Sequence, residues 1–324
     1  MLQRQYMEAA NQPNGGNVSE TPFYNSNRWS MTFGLEPNYP CCTVNHPQGW
    51  PKFLSAMYAR VGKSGIAHTL LAPGDLKTTV GGRQVIIRAT TGYPFMDDLH
   101  YVITTSNALD FHVRVPSWAG PASSVRIKFG ASKRLSPDPV TGLHKISLSK
   151  GTWNVSYSLQ SSIRTEDRAN ETVAVYKGAL LYAIDIPSTI VSSQPRLYND
   201  TSTFFANGSV PPQSRDWQYF ATSKWNIAID PHSLQYQAPT LDSPAELANP
   251  IFAPDGNFGT IAAKGCEIDW PLYLDSVPGY PPTGDAKKCL GEPFEVRLIP
   301  YGSAKTHMAE IPTIAIDSAR QGRQ

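Results

Sequence analysis

The sequence predicts a mostly β protein: two β-sandwich units behind a short helical segment. Three observations carry that expectation. Apolar residues alternate with polar ones at period two: Phe111, Val113 and Val115 with His112 and Arg114, Val125, Ile127 and Phe129 with Arg126 and Lys128, and Trp153, Val155, Tyr157 and Leu159 with Asn154, Ser156 and Ser158. That pattern belongs to half-buried antiparallel strands with one wet face. The chain holds 28 Pro where average usage gives about 16, and such an excess suits short strands joined by frequent turns. At 324 residues the chain exceeds one average domain and suggests two cores.

Residues 1–62 read differently from the rest. Met1 to Ala10 has the pattern of an amphipathic helix and lacks the apolar stretch of a signal peptide. A polar, Asn- and Gly-rich stretch follows from Asn11 to Asn27, and Trp29 to Pro40 has no clear period. Next comes Cys41-Cys-Thr-Val-Asn45-His-Pro-Gln-Gly-Trp50-Pro51. Pro51 suits a first helical position, where its missing N–H costs nothing. Phe53, Leu54, Met57, Tyr58 and Val61 then recur at helical spacing, and Gly62 fits the residue that closes the helix. The double cysteine is therefore expected in a loop just before a buried helix.

A first sandwich is expected over 63–165 and a second over 166–316, with the charged stretch Arg164 to Glu171 between them. Strands of the second are expected at Val173 to Tyr176, Ala179 to Ile184, Trp225 to Ile229 and Phe294 to Ile299. Pro187 to Ser214 and Pro231 to Gly259 read as long loops, and 317–324 as a polar tail.

With 40% hydrophobic and 17% charged residues the composition is globular. Net charge is +2, and the densest basic clusters, Lys133-Arg134 and Lys287-Lys288, read as solvated surface. The balance argues against a nucleic-acid partner. No apolar run reaches the ~18 residues of a membrane span, so no membrane partner is expected. Five N-x-S/T sequons, at Asn17, Asn154, Asn170, Asn199 and Asn207, exceed the roughly two expected by chance. They are candidate glycosylation sites and point to an extracellular, secreted protein whose signal peptide is missing from this chain. The competing reading is a cytosolic protein with accidental sequons.

Four cysteines remain to be placed. Cys266 and Cys289 are candidate disulfide partners in a secreted β domain, or two buried thiols. Cys41 and Cys42 are neighbours and cannot form an unstrained disulfide, because one peptide unit holds their Cα atoms too close together. Side by side they are able to hold one soft cation, zinc being the natural candidate. A zinc-bound thiol is deprotonated at neutral pH and nucleophilic. The plainer alternative is two small core residues before a helix. Glu36, His46 or His68 would have to complete a site, and none has a recognised ligand spacing.

Cys41-Cys-Thr-Val-Asn45, ahead of an apolar helix, resembles the CC-x-x-N segment of the β-L-arabinofuranosidases of glycoside hydrolase family 127 (GH127). His112-Val-Arg-Val-Pro-Ser-Trp-Ala119 is similar to that family's R-(I/V)-P-x-W strand. Val173-Ala-Val-Tyr-Lys-Gly-Ala-Leu-Leu-Tyr182 is similar to its second-sandwich opening, and Leu298-Ile-Pro-Tyr-Gly302 to its closing strand. The wording around the cysteines, from Glu36 to Gly49, resembles the fungal secreted branch. The resemblance runs from about residue 1 to 316 and implies an (α/α)6 barrel followed by β-sandwiches, so that residues 1–62 would be a remnant of the barrel.

It further implies retaining glycoside hydrolysis, with a zinc-bound thiolate in place of one of the usual two carboxylates. Cys41 would be nucleophile and zinc ligand, Cys42 a second ligand, and zinc the cofactor. Partners would be plant cell-wall arabinosides or other glycans; the oligomeric state is not implied. The family draws its acid/base glutamate, and a Glu-x-Cys pair of further ligands, from upstream of the double cysteine. Forty residues precede Cys41 here, and none forms Glu-x-Cys. Loss of an acid/base typically costs roughly 10²–10⁴-fold, so this chain is expected to be an incomplete, inactive fragment of such an enzyme. The alternatives are a noncatalytic carbohydrate-binding or interaction β-sandwich module, with Trp118, Trp217 and Trp225 as stacking candidates, and a structural zinc protein using Cys41, Cys42 and His46.

Overall fold

The structure, a computed structural model, describes residues 48–194, 203, 206, 216–253, 256–273, 277–304 and 307–316. The helix expected over Met1 to Ala10, Glu36, Cys41, Cys42, His46, the sequons Asn17, Asn199 and Asn207, the side chain of Trp217 and the tail 317–324 lie outside the described residues.

The described chain opens with helix α1 (Gly49–Ala56), and Pro51 sits in its first turn, where backbone N–H groups have no helical partner. The helix stops well short of Gly62. Met57 is buried, and its carbonyl accepts from the Thr69 amide at 2.8 Å. The Thr69 hydroxyl donates to the Ala56 carbonyl at 2.5 Å. From Tyr58 onward the residues expected as the last helical turn form a strand.

The first unit is a sandwich of two sheets. One has the order β1 (Tyr58–Val61), β2 (Gly65–His68), β6 (Leu109–Arg114), β9 (Leu143–Leu148). The other has the order β3 (Gly74–Val80), β4 (Arg83–Thr91), β5 (Asp98–Thr105), β10 (Gly151–Ser158), β7 (Ser124–Ile127), β8 (Lys133–Arg134). Gly62, at φ +58°, begins the turn between β1 and β2. Gly65 closes it at the register Val61↔Gly65, where a Cβ would lie 2.6 Å from the Val61 carbonyl oxygen. Glycine is therefore required at both positions, for different reasons.

The alternation read from the sequence is the pleat of these strands. Along β5, Leu99, Tyr101, Ile103 and Thr105 are buried, while Asp98, His100, Val102 and Thr104 face out. Leu99, Ile103, Leu109, Phe111, Val113 and Tyr157, among others, form one core between the sheets. Burying each such apolar side chain contributes about 1.5–3 kcal/mol. Phe129 departs from the pattern. Lys128 adopts φ +51°, the strand ends at Ile127, and Phe129 is fully exposed at the turn.

The second unit begins with β11 (Ile163–Arg168), so the charged stretch expected as a separator is an edge strand. Its period-two charges pair along one face: Arg164 and Arg168 both bind Glu166. The sheet continues in the order β11, β12 (Thr172–Lys177), β13 (Leu180–Asp185), β21 (Phe294–Pro300), β18 (Thr260–Glu267), β16 (Ile227–Ile229). Short strands attach to it: β17 (Gln235–Gln237) pairs with β18, β22 (His307–Met308) with β13, and β23 (Ile311–Pro312) with β12. Ile229 of β16 bridges Thr313, and the Ile314 amide donates to the Ile229 carbonyl at 2.9 Å. The sheet thus returns on itself, and its two halves face each other across a second core of Val175, Tyr182, Ile229, Ile261, Leu298, Ile311 and their neighbours. Two ribbons complete the unit: β14 (Ser188–Ser193) with β15 (Asp216–Ala221), and β19 (Leu272–Tyr273) with β20 (Val277–Pro278). The two long loops therefore contain strands, β14 in the first and β17 in the second.

The loop 92–97 joins the units. Phe95 meets Phe252 edge-on at 5.3 Å and packs on Ala183, Phe258, Ile299 and Ala304. Asp97 lies 3.4 Å from the Lys177 ammonium and accepts from the Ser161 hydroxyl.

Candidate functional site

The residues expected to carry chemistry, Cys41 and Cys42, precede α1 by a few residues and lie outside the described part. The helix expected to be buried is not: no residue of α1 is buried, and its large apolar side chains Trp50, Phe53 and Leu54 are exposed. Its last turn is tied to the first sandwich through Met57 and Thr69. Behind this junction sits a buried aromatic group built by β1, β2 and β5.

His68, on β2, is fully buried. Its Nδ1 shares a 2.9 Å hydrogen bond with the Tyr101 hydroxyl, and the Tyr58 ring stacks on it at 4.5 Å. The register places Tyr58 directly opposite His68. Burial drives the His68 pKa down to about 4, offset in part by the Ala72 backbone. Burial likewise raises the Tyr58 and Tyr101 phenols, with Asp75 adding to the rise at Tyr58. Neither the Tyr58 hydroxyl nor His68 Nε2 has a partner in full hydrogen-bond geometry. His68 is thus a neutral core imidazole, and among the described residues no group of three or more His, Cys, Asp or Glu is placed to hold a metal ion.

A second polar group lies where the units meet. The Lys177 ammonium donates to the Ser161 hydroxyl, faces Asp97, and stands 4.5 Å from the centre of the Tyr236 ring. Tyr182 donates to the Gly259 carbonyl at 3.2 Å beside it. These groups satisfy one another and read as a polar joint. Sequence reasoning missed the joint, because Asp97, Ser161, Lys177 and Tyr236 have no local pattern in common.

The remaining expected residues are placed as follows. Cys266 and Cys289 form a disulfide with Cα atoms 5.5 Å apart, beside the buried Trp270. Asn154 is exposed on the outer face of β10, and Asn170 is exposed at φ +55° in a turn before β12. Thr172, the third residue of that second sequon, is buried with its hydroxyl on the Ala169 carbonyl. Trp118 is half-buried, packed on the first core and stacked on Tyr93. Trp225 packs on Trp270 at 5.3 Å. Both are half-buried and packed on core residues. No helix among the described residues is long and apolar enough to cross a membrane.

No protein-family model and no curated protein matches the sequence. Solved structures do match the fold. A GH127 β-L-arabinofuranosidase from Geobacillus stearothermophilus T6 is similar at TM-score 0.53 and 15% identity, over 85% of this chain and 37% of that one. A structure described as a glycoside hydrolase is similar at TM-score 0.58 and 15% identity, over 91% and 42%. A further GH127 β-arabinofuranosidase is similar at TM-score 0.52 and 16% identity, over 85% and 38%. The chain has the fold of part of these proteins and spans 37–42% of their length.

Proposed function

We infer that this chain is a relative of the GH127 β-L-arabinofuranosidases whose fold it shares. The observation that carries the reading is the likeness over 85–91% of the chain at TM-scores of 0.52–0.58. The double cysteine just before α1 adds the chemistry. In this reading the substrate is an arabinoside or another glycan, Cys41 is the nucleophile, and Cys41 and Cys42 are zinc ligands. Two thiolates are soft donors suited to zinc, which would keep the nucleophile ionised. His68 takes no part, since its Nδ1 is engaged by Tyr101 inside the core. The same reading includes secretion, with Asn154 and Asn170 as exposed glycan acceptors.

The 324-residue polypeptide is proposed to be catalytically incompetent by itself, because no Glu-x-Cys occurs anywhere in it. Two thiols fill half of a tetrahedral site. Purified polypeptide should contain less than one zinc per chain, and its turnover of an aryl β-L-arabinofuranoside should equal that of Cys41→Ser. Turnover that vanishes in Cys41→Ser would overturn the inactivity and keep the family reading. A genomic reading frame upstream of Met1 with no Glu-x-Cys would remove catalysis from the reading altogether.

A further inference from the structure

One hairpin on the first sandwich sends Val125 into the core but carries exposed side chains that neither the core nor the reading above uses. β7 and β8 pair at Ser124↔Arg134 and Val125↔Lys133 and enclose a turn. Within those eleven residues stand Arg126, Lys128, Lys133 and Arg134, with no acid, and all four are exposed. At the tip, Phe129 is fully exposed. The Lys128 ammonium lies 4.0 Å from the centre of the Trp153 ring.

The surroundings reinforce the sign. From Phe111 to Thr165 the chain has eight Lys or Arg and a single acid, Asp138; of the eight, Lys145 pairs with Asp110 and Arg164 with Glu166, just beyond that stretch. The Asp138 carboxylate is occupied by the Val140 and Thr141 amides and the Thr141 hydroxyl. Elsewhere on the same sheet Arg88 is paired with Asp75, whereas among the described residues no carboxylate pairs with the four hairpin cations. A net charge of only +2 for the whole chain means that this is a local positive field and not a general one. Lys128 holds a left-handed conformation that side chains seldom adopt, and Phe129 follows it, fully exposed at the turn.

We propose that the β7–β8 hairpin is a noncatalytic docking site for an acidic polysaccharide. A protruding ring offers a face to the C–H groups of a sugar, and the cations around it pair with uronate carboxylates. A lone Phe is too little apolar surface to anchor a lipid membrane, and one hairpin is too short to track a nucleic-acid backbone. The site is independent of the Cys41 reading, since binding is measured without turnover.

The test is affinity electrophoresis of the whole purified chain in gels containing polygalacturonate. Neutral arabinan, duplex DNA and phosphatidylglycerol vesicles serve as separate arms. Retardation by polygalacturonate is expected, weakening about tenfold between about 0.02 M and about 0.3 M NaCl. The combined variant Lys128→Gln, Lys133→Gln, Arg134→Gln should weaken it by about tenfold or more, and Phe129→Ala should weaken it with the charges intact. The combined variant Lys63→Gln, Lys77→Gln, Arg83→Gln removes the same charge from exposed positions elsewhere and should leave binding unchanged. Absence of retardation, equal loss in both triple variants, or equal hairpin-dependent binding of DNA or vesicles would each overturn the proposal. Phe129→Ala stands in if the triple variant fails to fold.

Discussion

Replacing His68 with glutamine tests the buried aromatic group directly. The imidazole is fully buried, hydrogen-bonded to Tyr101, and held neutral with a pKa of about 4 against an ordinary 6.5. Its folded pKa lies below its unfolded value. Between pH 6.5 and about 4 the unfolded chain therefore takes up a proton that the folded chain refuses. Stability is fully present above pH 6.5 and is lost as pH falls through this window. Linkage makes the loss about 2 kcal/mol by pH 5 and about 3 kcal/mol by pH 4. A glutamine does not titrate and keeps an acceptor for the Tyr101 hydroxyl. At pH 7.5 the variant should be less stable by about 1–2 kcal/mol, from lost packing. At pH 4 it should match or exceed the wild type. Urea unfolding of both proteins from pH 7.5 to pH 4, followed by tryptophan fluorescence, gives the difference, in which the carboxylates common to both cancel. A wild-type-minus-variant stability that stays flat across this range would refute a buried neutral His68.

Two further outcomes follow from the architecture. Cys266 and Cys289 close a loop of sequence separation 23, so Cys289→Ser should lower unfolding free energy by about 3.5 kcal/mol on the chain-entropy account, checked by urea titration beside the reduced wild type. Phe95→Ala empties the contact between loop 92–97 and the cluster around Phe258, and should destabilise by about 3 kcal/mol, with faster cleavage near the linker 159–163 in limited proteolysis and little change in the amide protection of β5.

Much of the strand content was readable because a half-buried strand writes its two faces into alternate residues. β6 and β10 lie where period two placed them, and β12, β13 and β21 lie where strands were expected. The C-terminal end of α1 was not readable, because Met57, Tyr58 and Val61 satisfy a helical stripe and a strand equally well. Pairing with β2, a partner later in the chain, decided between them. Phe129 looked inward by alternation until the left-handed Lys128 broke the phase. The short strands β14 and β17 lack any alternation of their own and exist through their partners β15 and β18.

Of the candidate site, the double cysteine was visible as a motif, and the disulfide residues were visible as a candidate pair. The His68 group and the Asp97–Lys177 joint were not, since each gathers residues from strands far apart in sequence. Alone, the amino-acid order settled the mostly β class and the two cores, which rest on composition and local period, and it holds the Cys41-Cys42 motif from which the proposed chemistry is argued. Folding in three dimensions settled where α1 stops, how β23 closes the second sheet, and which histidine is silent. Those outcomes depend on contacts between distant segments, whose free energies no local stretch of chain contains.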